Sequence, residues 1–127
     1  MSVPRILLVD DTPEVLALCA EILKRSYEIA GTAGDGESAI SAVEMTAPDV
    51  VVLDITMPRL NGVEVAKRLR SSGYGGAIVF LSGDLELMNS AMEAGGSAFV
   101  TKTRLSEDLM VAIREALAGR AFVSFSE

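Results

Sequence analysis

Short apolar runs alternate with segments of helical periodicity along the whole chain. Continuous apolar or β-branched runs that are bounded by turn residues predict buried β-strands. We predict five strands, at residues 5–9, 27–32, 50–53, 77–81 and 98–101. All except the second are apolar on both faces, which is typical of a parallel sheet covered by helices on both sides.

The segments that follow these strands predict five amphipathic helices. Pro13 suits the first turn of the first helix, with Thr12 or Asp11 as its cap. Asn61 and Glu64 have the spacing of a capping box at the start of the third helix. The predicted helices cover residues 13–25, 36 to a point before Pro48, 62–70, about 85–94, and 106 to a point before Gly119. The apolar face of the first helix is predicted to contain Val15, Leu18, Cys19, Ile22 and Leu23.

Charged and hydroxyl side chains follow the predicted strands selectively. Asp10 and Asp11 follow the first strand, and Asp54 follows the third. Ser82 follows the fourth strand and Lys102 the fifth, whereas the second strand supplies no charge. Ligands of an open parallel sheet bind outside the carboxyl ends of the strands, where the strand order reverses, so this distribution favours the order 2-1-3-4-5. We therefore predict one α/β domain over residues 1–127, with a core at about 4–119 and a short tail at 120–127.

The three aspartates predict a site for a divalent cation. At a separation of about 4 Å, each pair of carboxylates repels by roughly 4 kcal/mol at an effective dielectric near 20. Mg²⁺ relieves such repulsion, since it takes one or two carboxylates and keeps water positions that a phosphate oxygen can occupy. Lys102 adds a further positive charge, and Ser82 is placed to donate a hydrogen bond to phosphoryl oxygens. The combination predicts phosphoryl transfer, with Asp54 as the acceptor because it stands alone after the central strand.

Each of these side chains also has a structural interpretation that the sequence leaves open. Asp11 fits a helix cap, and Ser82 fits the start of a turn with Gly83. Lys102 is compatible with an ordinary surface lysine, and Phe99 with a static core residue.

Composition excludes several classes of function. The chain has 127 residues, of which 18 are acidic and 11 basic, and its net charge of −7 disfavours direct nucleic-acid binding. It has no histidine, which excludes imidazole-based triads, and its single cysteine, Cys19, is predicted to be a buried small hydrophobe. No apolar run is long enough to cross a bilayer and the first residues lack a signal-peptide pattern, so we expect a cytoplasmic location without membrane association.

Several motifs together resemble the receiver domain of bacterial two-component response regulators. Residues 6–11, ILLVDD, are similar to the acidic opening of that family, and residues 54–62, DITMPRLNG, resemble its phosphoacceptor loop. Ser82-Gly83 and residues 99–102, FVTK, complete a resemblance that covers nearly the whole chain. It implies a flavodoxin-like (βα)5 three-layer sandwich with a five-stranded parallel sheet.

The resemblance also implies a role for each site residue and for its partners. Asp54 would take a phosphoryl group from a sensor histidine kinase, a phosphotransfer protein or a small phosphodonor. Lys102 would contact that group, and Ser82 and Phe99 would act as the switch pair. Mg²⁺ would be bound by Asp10, Asp11, Asp54 and the backbone carbonyl of Thr56. The switched surface would be formed by the fourth helix, fifth strand and fifth helix, and would bind a downstream protein.

The same resemblance implies a signalling switch rather than a metabolic enzyme. Its chemistry would be limited to Mg²⁺-dependent autophosphorylation and slow autodephosphorylation, in a monomer or a weak phosphorylation-dependent dimer. No effector domain follows Gly119, so we expect either a single-domain regulator or the receiver of a longer protein.

The chain departs from the family pattern at two places, and two alternatives remain. Thr103 follows Lys102 where many members have proline, and the segment 82–95 is shorter than usual. Both lie beside the predicted output surface, which leaves open a receiver-like binding module that works without phosphorylation. An aspartyl phosphatase is disfavoured because Thr56 stands where that enzyme has its second acid.

Overall fold

A computed structural model of the protein describes residues 3–124, in which strands and helices alternate. The strands are β1 (Arg5–Val9), β2 (Glu28–Ala33), β3 (Val50–Asp54), β4 (Ala77–Ser82), β5 (Ala98–Thr101) and β6 (Phe122–Val123). The helices are α1 (Pro13–Leu23), α2 (Gly36–Thr46), α3 (Gly62–Ser71), α4 (Met88–Glu93) and α5 (Leu105–Leu117). Short 3-10 turns precede α4 and α5, at Leu85–Leu87 and Lys102–Arg104.

The sheet confirms the predicted strand order and adds one strand to it. All pairings are parallel, in the order β2-β1-β3-β4-β5-β6. The prediction of five strands is therefore wrong by one, because part of the predicted tail pairs with β5 through Phe122 and Val123. A two-residue strand is too short to show the period of two by which strands are recognised in a sequence. The last three residues of that tail, 125–127, lie outside the described residues.

Helices cover the sheet on both sides, as the apolar strands predict. Alternate residues of each central strand point to opposite faces, so β1 and β3 contribute to two separate cores. One core packs against α2, α3 and α4, and the other against α1 and α5. Cys19 belongs to the second core, where burial raises the pKa of its thiol to about 12, with a smaller contribution from Asp10. The prediction that this cysteine is a buried small hydrophobe is confirmed.

The helix α1 differs from its prediction at two points, whereas the start of α3 is as predicted. The helix α1 ends at Leu23 rather than at residue 25. Leu18, predicted to lie on the apolar face of this helix, is 43% exposed, because Leu16 and Ala20 pack against the core in its place. The capping box of α3 is present, with Asn61 and Glu64 each accepting from the other's backbone N–H.

The fourth helix is the least regular element of the fold. Its first three residues, Leu85–Leu87, form a 3-10 turn, and only Met88–Glu93 are α-helical. The turn is capped by Asp84, whose carboxylate accepts the N–H of Glu86 at 2.9 Å. A short α4 agrees with the short segment that the sequence shows between Ser82 and Gly95. No helix within residues 3–124 combines the length and apolar character that a membrane crossing requires.

Candidate functional site

The carboxyl ends of β1 and β3 place three aspartates within reach of one ion. Asp10 and Asp54 are each 1% exposed, and Asp11 is exposed beside them. One carboxylate oxygen from each lies within 4.8 Å of the other two. Because β1 and β3 are neighbours in the sheet, with Val9 paired to Leu53, their carboxyl ends bring the acids together.

Lys102 extends from the end of β5 into this acidic cluster. Its ammonium nitrogen Nζ lies 3.2 Å from Asp10 Oδ2 and 3.3 Å from Asp54 Oδ1. The lysine side chain is 30% exposed, so it lies at the mouth of the site, whereas the two carboxylates that it contacts are buried. The structure thus brings together the three acids and the amine that the sequence places at three separate strand ends.

The electrostatics of the site show that its negative charge is only partly compensated. Burial, and then the charge of Asp10, raise the pKa of Asp54 from 3.8 to about 6, although Lys102 acts in the opposite direction. Burial lowers the pKa of Lys102, but the Asp54 and Asp10 carboxylates outweigh it, so the lysine pKa lies above its ordinary value. One ammonium group therefore stays charged between two buried acids, and one of those acids is held in an unfavourable charged form.

Local backbone geometry fixes the direction of both buried carboxylates. The N–H of Thr12 donates to Asp10 Oδ1 at 2.8 Å, and the N–H of Thr56 donates to Asp54 Oδ1 at 3.2 Å. After Asp54 the chain turns back tightly, since a side chain at Gly62 would overlap the backbone carbonyl oxygen of Asp54. Only glycine permits this close approach of α3 to the end of β3.

The arrangement fits a hard divalent cation such as Mg²⁺. Within the described part of the chain, Asp54 Oδ2 is a buried oxygen with no hydrogen-bond partner. A buried carboxylate oxygen without a partner is costly, and a cation that prefers oxygen ligands would satisfy it. The exposed carboxylate of Asp11 leaves one side of the cluster open to solvent, as a site that exchanges ligands requires.

The predicted switch residues lie on the two strands that follow β3 in the sheet, Ser82 at the end of β4 and Phe99 within β5. Ser82 is 1% exposed, and its hydroxyl is engaged with its own loop, accepting from the N–H of Asp84 at 3.0 Å and donating to the Asp84 carbonyl at 3.2 Å. Phe99 is fully buried in the core on the α4 side, so its ring points inward. These positions are compatible with the roles predicted for Ser82 and Phe99.

Sequence reasoning missed a group of polar residues on the outer side of β5. Ser124 and Asp108 are buried there, at 2% and 7% exposure, and are joined by a hydrogen bond of 2.7 Å from the serine hydroxyl to Asp108 Oδ2. The sequence shows Asp108 only as an acid in the first turn of a helix, where such residues are common. Only the pairing of β6 with β5 brings Ser124 close to it.

Comparison with known proteins identifies a family. The family model of the response regulator receiver domain matches residues 6–114 of the chain. The chain is 33% identical over 120 residues to the transcriptional regulatory protein PdtaR of Mycobacterium tuberculosis. It is 32% identical over 123 residues to the DNA-binding transcriptional activator EvgA of Escherichia coli. These matches cover 92% and 94% of this chain but 58% and 60% of the relatives, so the chain spans about three fifths of their length.

Solved structures agree with this result. A two-component response regulator of the LuxR family from Aurantimonas sp. superposes with a TM-score of 0.88 at 34% identity, covering 95% of this chain and 89% of that chain. The response regulator domain of Thermotoga maritima CheB superposes with a TM-score of 0.84 at 26% identity, and the match covers 91% of this chain and 97% of that chain. The flavodoxin-like order predicted from the sequence is thereby confirmed.

Proposed function

Because the chain belongs to the family of response regulator receiver domains, phosphoacceptors of two-component signalling, we propose that Asp54 is the residue that accepts the phosphoryl group. The observation that carries this assignment is the position of its carboxylate at the end of the central strand, beside the Lys102 ammonium. Asp54 is buried within the acidic cluster, lies 3.3 Å from the Lys102 ammonium, and keeps one oxygen free of hydrogen bonds to described residues. Asp10 is equally buried, lies 3.2 Å from the same ammonium and also has an oxygen without a hydrogen-bond partner among those residues, but it follows β1, whereas Asp54 ends the central strand β3. Asp11 is exposed.

The proposed reaction is an in-line displacement at phosphorus. An oxygen of the Asp54 carboxylate attacks the phosphorus of a phosphohistidine on a sensor kinase or phosphotransfer protein, or of a small phosphodonor. The bond from phosphorus to the donor's nitrogen or oxygen breaks, and the leaving group keeps the electron pair and takes a proton from solvent. The product is an acyl phosphate on Asp54, which attack by water later returns to carboxylate and inorganic phosphate.

Mg²⁺ is the cofactor that these residues would hold. Asp10, Asp11 and Asp54 supply carboxylate oxygens, and we assign the backbone carbonyl of Thr56 as a further ligand. When bound, Mg²⁺ supplies positive charge to the oxygens of the transferred group. The carboxylates alone would repel a phosphoryl group, so we expect phosphorylation to depend on the cation.

Lys102 and Ser82 would bind the phosphoryl group on Asp54. Lys102 already contacts the acceptor carboxylate, and its raised pKa keeps it charged at neutral pH. Ser82 ends the strand next to β3, with Asp54 paired to Leu81, but its hydroxyl must release the Asp84 carbonyl before it can donate to a phosphoryl oxygen. We infer that this release moves the Ser82 loop and the adjacent α4.

The output of the switch would be a protein surface formed by α4, β5 and α5. Phe99 lies in β5 beneath α4, in the same core as Leu87 and Met88, so a shift of α4 changes the packing around its ring. We propose that this surface binds a downstream protein, in the cytoplasm, and that the chain is a monomer or forms a weak dimer when phosphorylated. The net charge of −7 argues against direct contact between this chain and nucleic acid.

The test is incubation of the protein with Mg²⁺ and acetyl phosphate, followed by intact mass spectrometry. We expect a mass increase of one phosphoryl group that disappears in the presence of a chelator. Asp54→Asn is the matched variant, since it keeps the shape of the side chain and removes its nucleophilic oxygen. An adduct that persists in Asp54→Asn would show that another residue is the acceptor, and no adduct in the wild type would favour a binding module.

A second measurement separates the switch from a phosphatase. Steady-state release of phosphate from acetyl phosphate and from a stable phosphate monoester should be followed at the same time as the adduct. We expect slow turnover of the acyl phosphate only, because the residue two positions after Asp54 is Thr56, which is no general acid. Rapid hydrolysis of the monoester without a detectable adduct would identify a phosphatase instead.

A further inference from the structure

A chain of buried polar contacts joins the C-terminal strand to the strand end that carries Lys102. The Ser124 hydroxyl accepts a hydrogen bond from the N–H of Thr101 at 3.2 Å and donates one to Asp108 Oδ2 at 2.7 Å. Asp108 also accepts two hydrogen bonds from the Arg104 guanidinium, at 2.8 and 3.1 Å. The contacts therefore begin one residue before Lys102, at Thr101, and end two residues after it, at Arg104.

The position of Ser124 makes this chain of contacts part of the sheet. The N–H of Ser124 donates to the carbonyl of Phe99 at 2.9 Å, which continues the pairing of β6 with β5 past Val123. At the next position the Ser124 hydroxyl oxygen, instead of a backbone carbonyl, accepts the N–H of Thr101. With Ser124 only 2% exposed, water is a poor replacement for that acceptor.

The ammonium of Lys102 depends on the backbone that these contacts hold. Its stem starts at the first residue of the 3-10 turn Lys102–Arg104 and crosses from β5 to the acids that follow β1 and β3. On the inner side, Thr101 is paired with Ser82 of β4. On the outer side, Ser124, Asp108 and Arg104 hold the same segment, so a change there displaces the point from which the lysine reaches into the site.

We propose that Ser124, acting with Asp108, is a positioning residue that holds the Lys102 ammonium where it contacts the phosphoryl group. The proposal rests on the function proposed above for Lys102 and Asp54. The contacts of Ser124 involve only the lysine side of the site. The three carboxylates proposed to bind the metal lie at the carboxyl ends of β1 and β3, and none of them is a hydrogen-bond partner of Ser124 or Asp108 among the contacts of the described residues. Displacing the ammonium should therefore weaken the binding of a phosphoryl group, whereas it should not weaken cation binding, since the ammonium competes with a cation for the Asp10 and Asp54 carboxylates.

Ser124→Ala tests the proposal, with Ser106→Ala as the matched control. Ser106 is an exposed serine in the same C-terminal segment, in the first turn of α5. NMR titrations should give the affinity for Mg²⁺ alone and the affinity for trifluoroberyllate, a phosphoryl mimic, in the presence of Mg²⁺. We expect Ser124→Ala to bind trifluoroberyllate about fivefold more weakly, the size of an ordinary coupling between neighbouring residues, with no loss of Mg²⁺ affinity. Ser106→Ala should match the wild type in both titrations.

The position of the lysine is read directly from the NMR signal of its side chain. The Lys102 side-chain resonances of the metal-free protein should shift in Ser124→Ala and return toward their wild-type values in Ser124→Thr, which restores the hydroxyl. In a Lys102→Ala background, Ser124→Ala should cause no further loss of trifluoroberyllate affinity, because the serine acts through the lysine. Asp108→Asn, which keeps the side-chain size, provides a second variant should Ser124→Ala fold poorly.

Two results would overturn the proposal. One is an equal loss of Mg²⁺ and trifluoroberyllate affinity in Ser124→Ala, which indicates a general loss of structure. The other is an unchanged Lys102 resonance together with unchanged trifluoroberyllate affinity. The Lys102 resonance is measured without metal, so it tests the positioning role by itself. Failure of the wild type to bind trifluoroberyllate would instead count against the proposed function.

Discussion

Replacing the proposed acceptor by asparagine is expected to stabilise the metal-free protein. The charged form of Asp54 is unfavourable in the fold, since burial and Asp10 raise its pKa from 3.8 to about 6. Asparagine is neutral at every pH and keeps an oxygen that can accept from Thr56 and Lys102, as Asp54 Oδ1 does. Asp54→Asn therefore removes an electrostatic cost and preserves most of the local contacts.

The magnitude follows from the size of the pKa change. A rise from 3.8 to about 6 corresponds to about 3 kcal/mol of free energy once both states are ionised. The amide nitrogen of the asparagine takes the buried position of Asp54 Oδ2, which has no hydrogen-bond partner among the described residues. Burying this donor without an acceptor cancels roughly 1 kcal/mol of the gain in stability. We expect the free energy of unfolding in a chelator at pH 8 to be about 2 kcal/mol higher for Asp54→Asn than for the wild type.

The sign of the pH dependence is fixed by the direction of the same shift. Between pH 3.8 and about 6 the folded state binds a proton that the unfolded state has lost, so the wild type loses stability as the pH rises through this window. Below pH 3.8 both states are protonated and this electrostatic difference from Asp54→Asn disappears. Above about pH 6 the difference is constant, since Asp54 is then ionised in both states.

Urea denaturation followed by circular dichroism measures this difference. A change of about 2 kcal/mol moves the urea midpoint by roughly 1 M for a domain of this size. Saturating Mg²⁺ should stabilise the wild type more than Asp54→Asn and so reduce or reverse the gap, because the variant has lost a ligand. Asp11→Asn is the control, since Asp11 is exposed, where solvent screens its charge, and it is not among the groups that raise the pKa of Asp54. Its loss should change the metal-free stability much less. A metal-free Asp54→Asn that is no more stable than the wild type at pH 8 would refute the reasoning.

Three further predictions concern the turn beside the site, a helix cap and the buried Asp108. Gly62→Ala should destabilise the fold by about 1–3 kcal/mol in urea denaturation and weaken Mg²⁺ binding, because its Cβ would overlap the Asp54 carbonyl; unchanged values would show that the turn can relax. Ala47→Gly should stabilise by about 0.5–1 kcal/mol, since Ala47 caps α2 at a φ of 47°, and a lower urea midpoint would contradict this. Hydrogen bonds from Arg104, and secondarily Ser124, lower the pKa of Asp108 against the effect of burial. The stability that Asp108 contributes is therefore present above pH 3.8 and lost as the pH falls through its lowered pKa, so Asp108→Asn should differ from the wild type at pH 7 and match it in strong acid.

The sequence predicts the sheet order and the site because both depend on strand ends. A continuous apolar run locates a central strand, and the residue that follows it must lie at the carboxyl edge of the sheet. Asp10, Asp54 and Lys102 are found in this way without knowledge of any contact. The prediction that Leu18 is buried is wrong, because the periodicity of a short helix does not distinguish it from the packed Leu16.

The same reasoning could not predict the polar contacts on the side of β5 that pairs with β6. The strand β6 has two residues, and its register on β5 is what brings Ser124 beside Asp108. Neither residue type signals the contact, since serine in a tail and aspartate in the first turn of a helix both have common local explanations. A pair that is distant in sequence and joined by one hydrogen bond is found only from coordinates.

The two sides of the site are held by different kinds of contact, and this has a consequence for how it works. Backbone N–H groups close in sequence orient the acids, as Thr12 does for Asp10 and Thr56 for Asp54, so the acidic side forms wherever β1 and β3 pair. The lysine side depends on a distant tail, through Ser124. A change on the lysine side should therefore weaken phosphoryl binding without weakening cation binding. A partner that displaces β6 from β5 would weaken phosphoryl binding, and by reciprocity a phosphoryl group held by Lys102 would stabilise the pairing of β6 with β5.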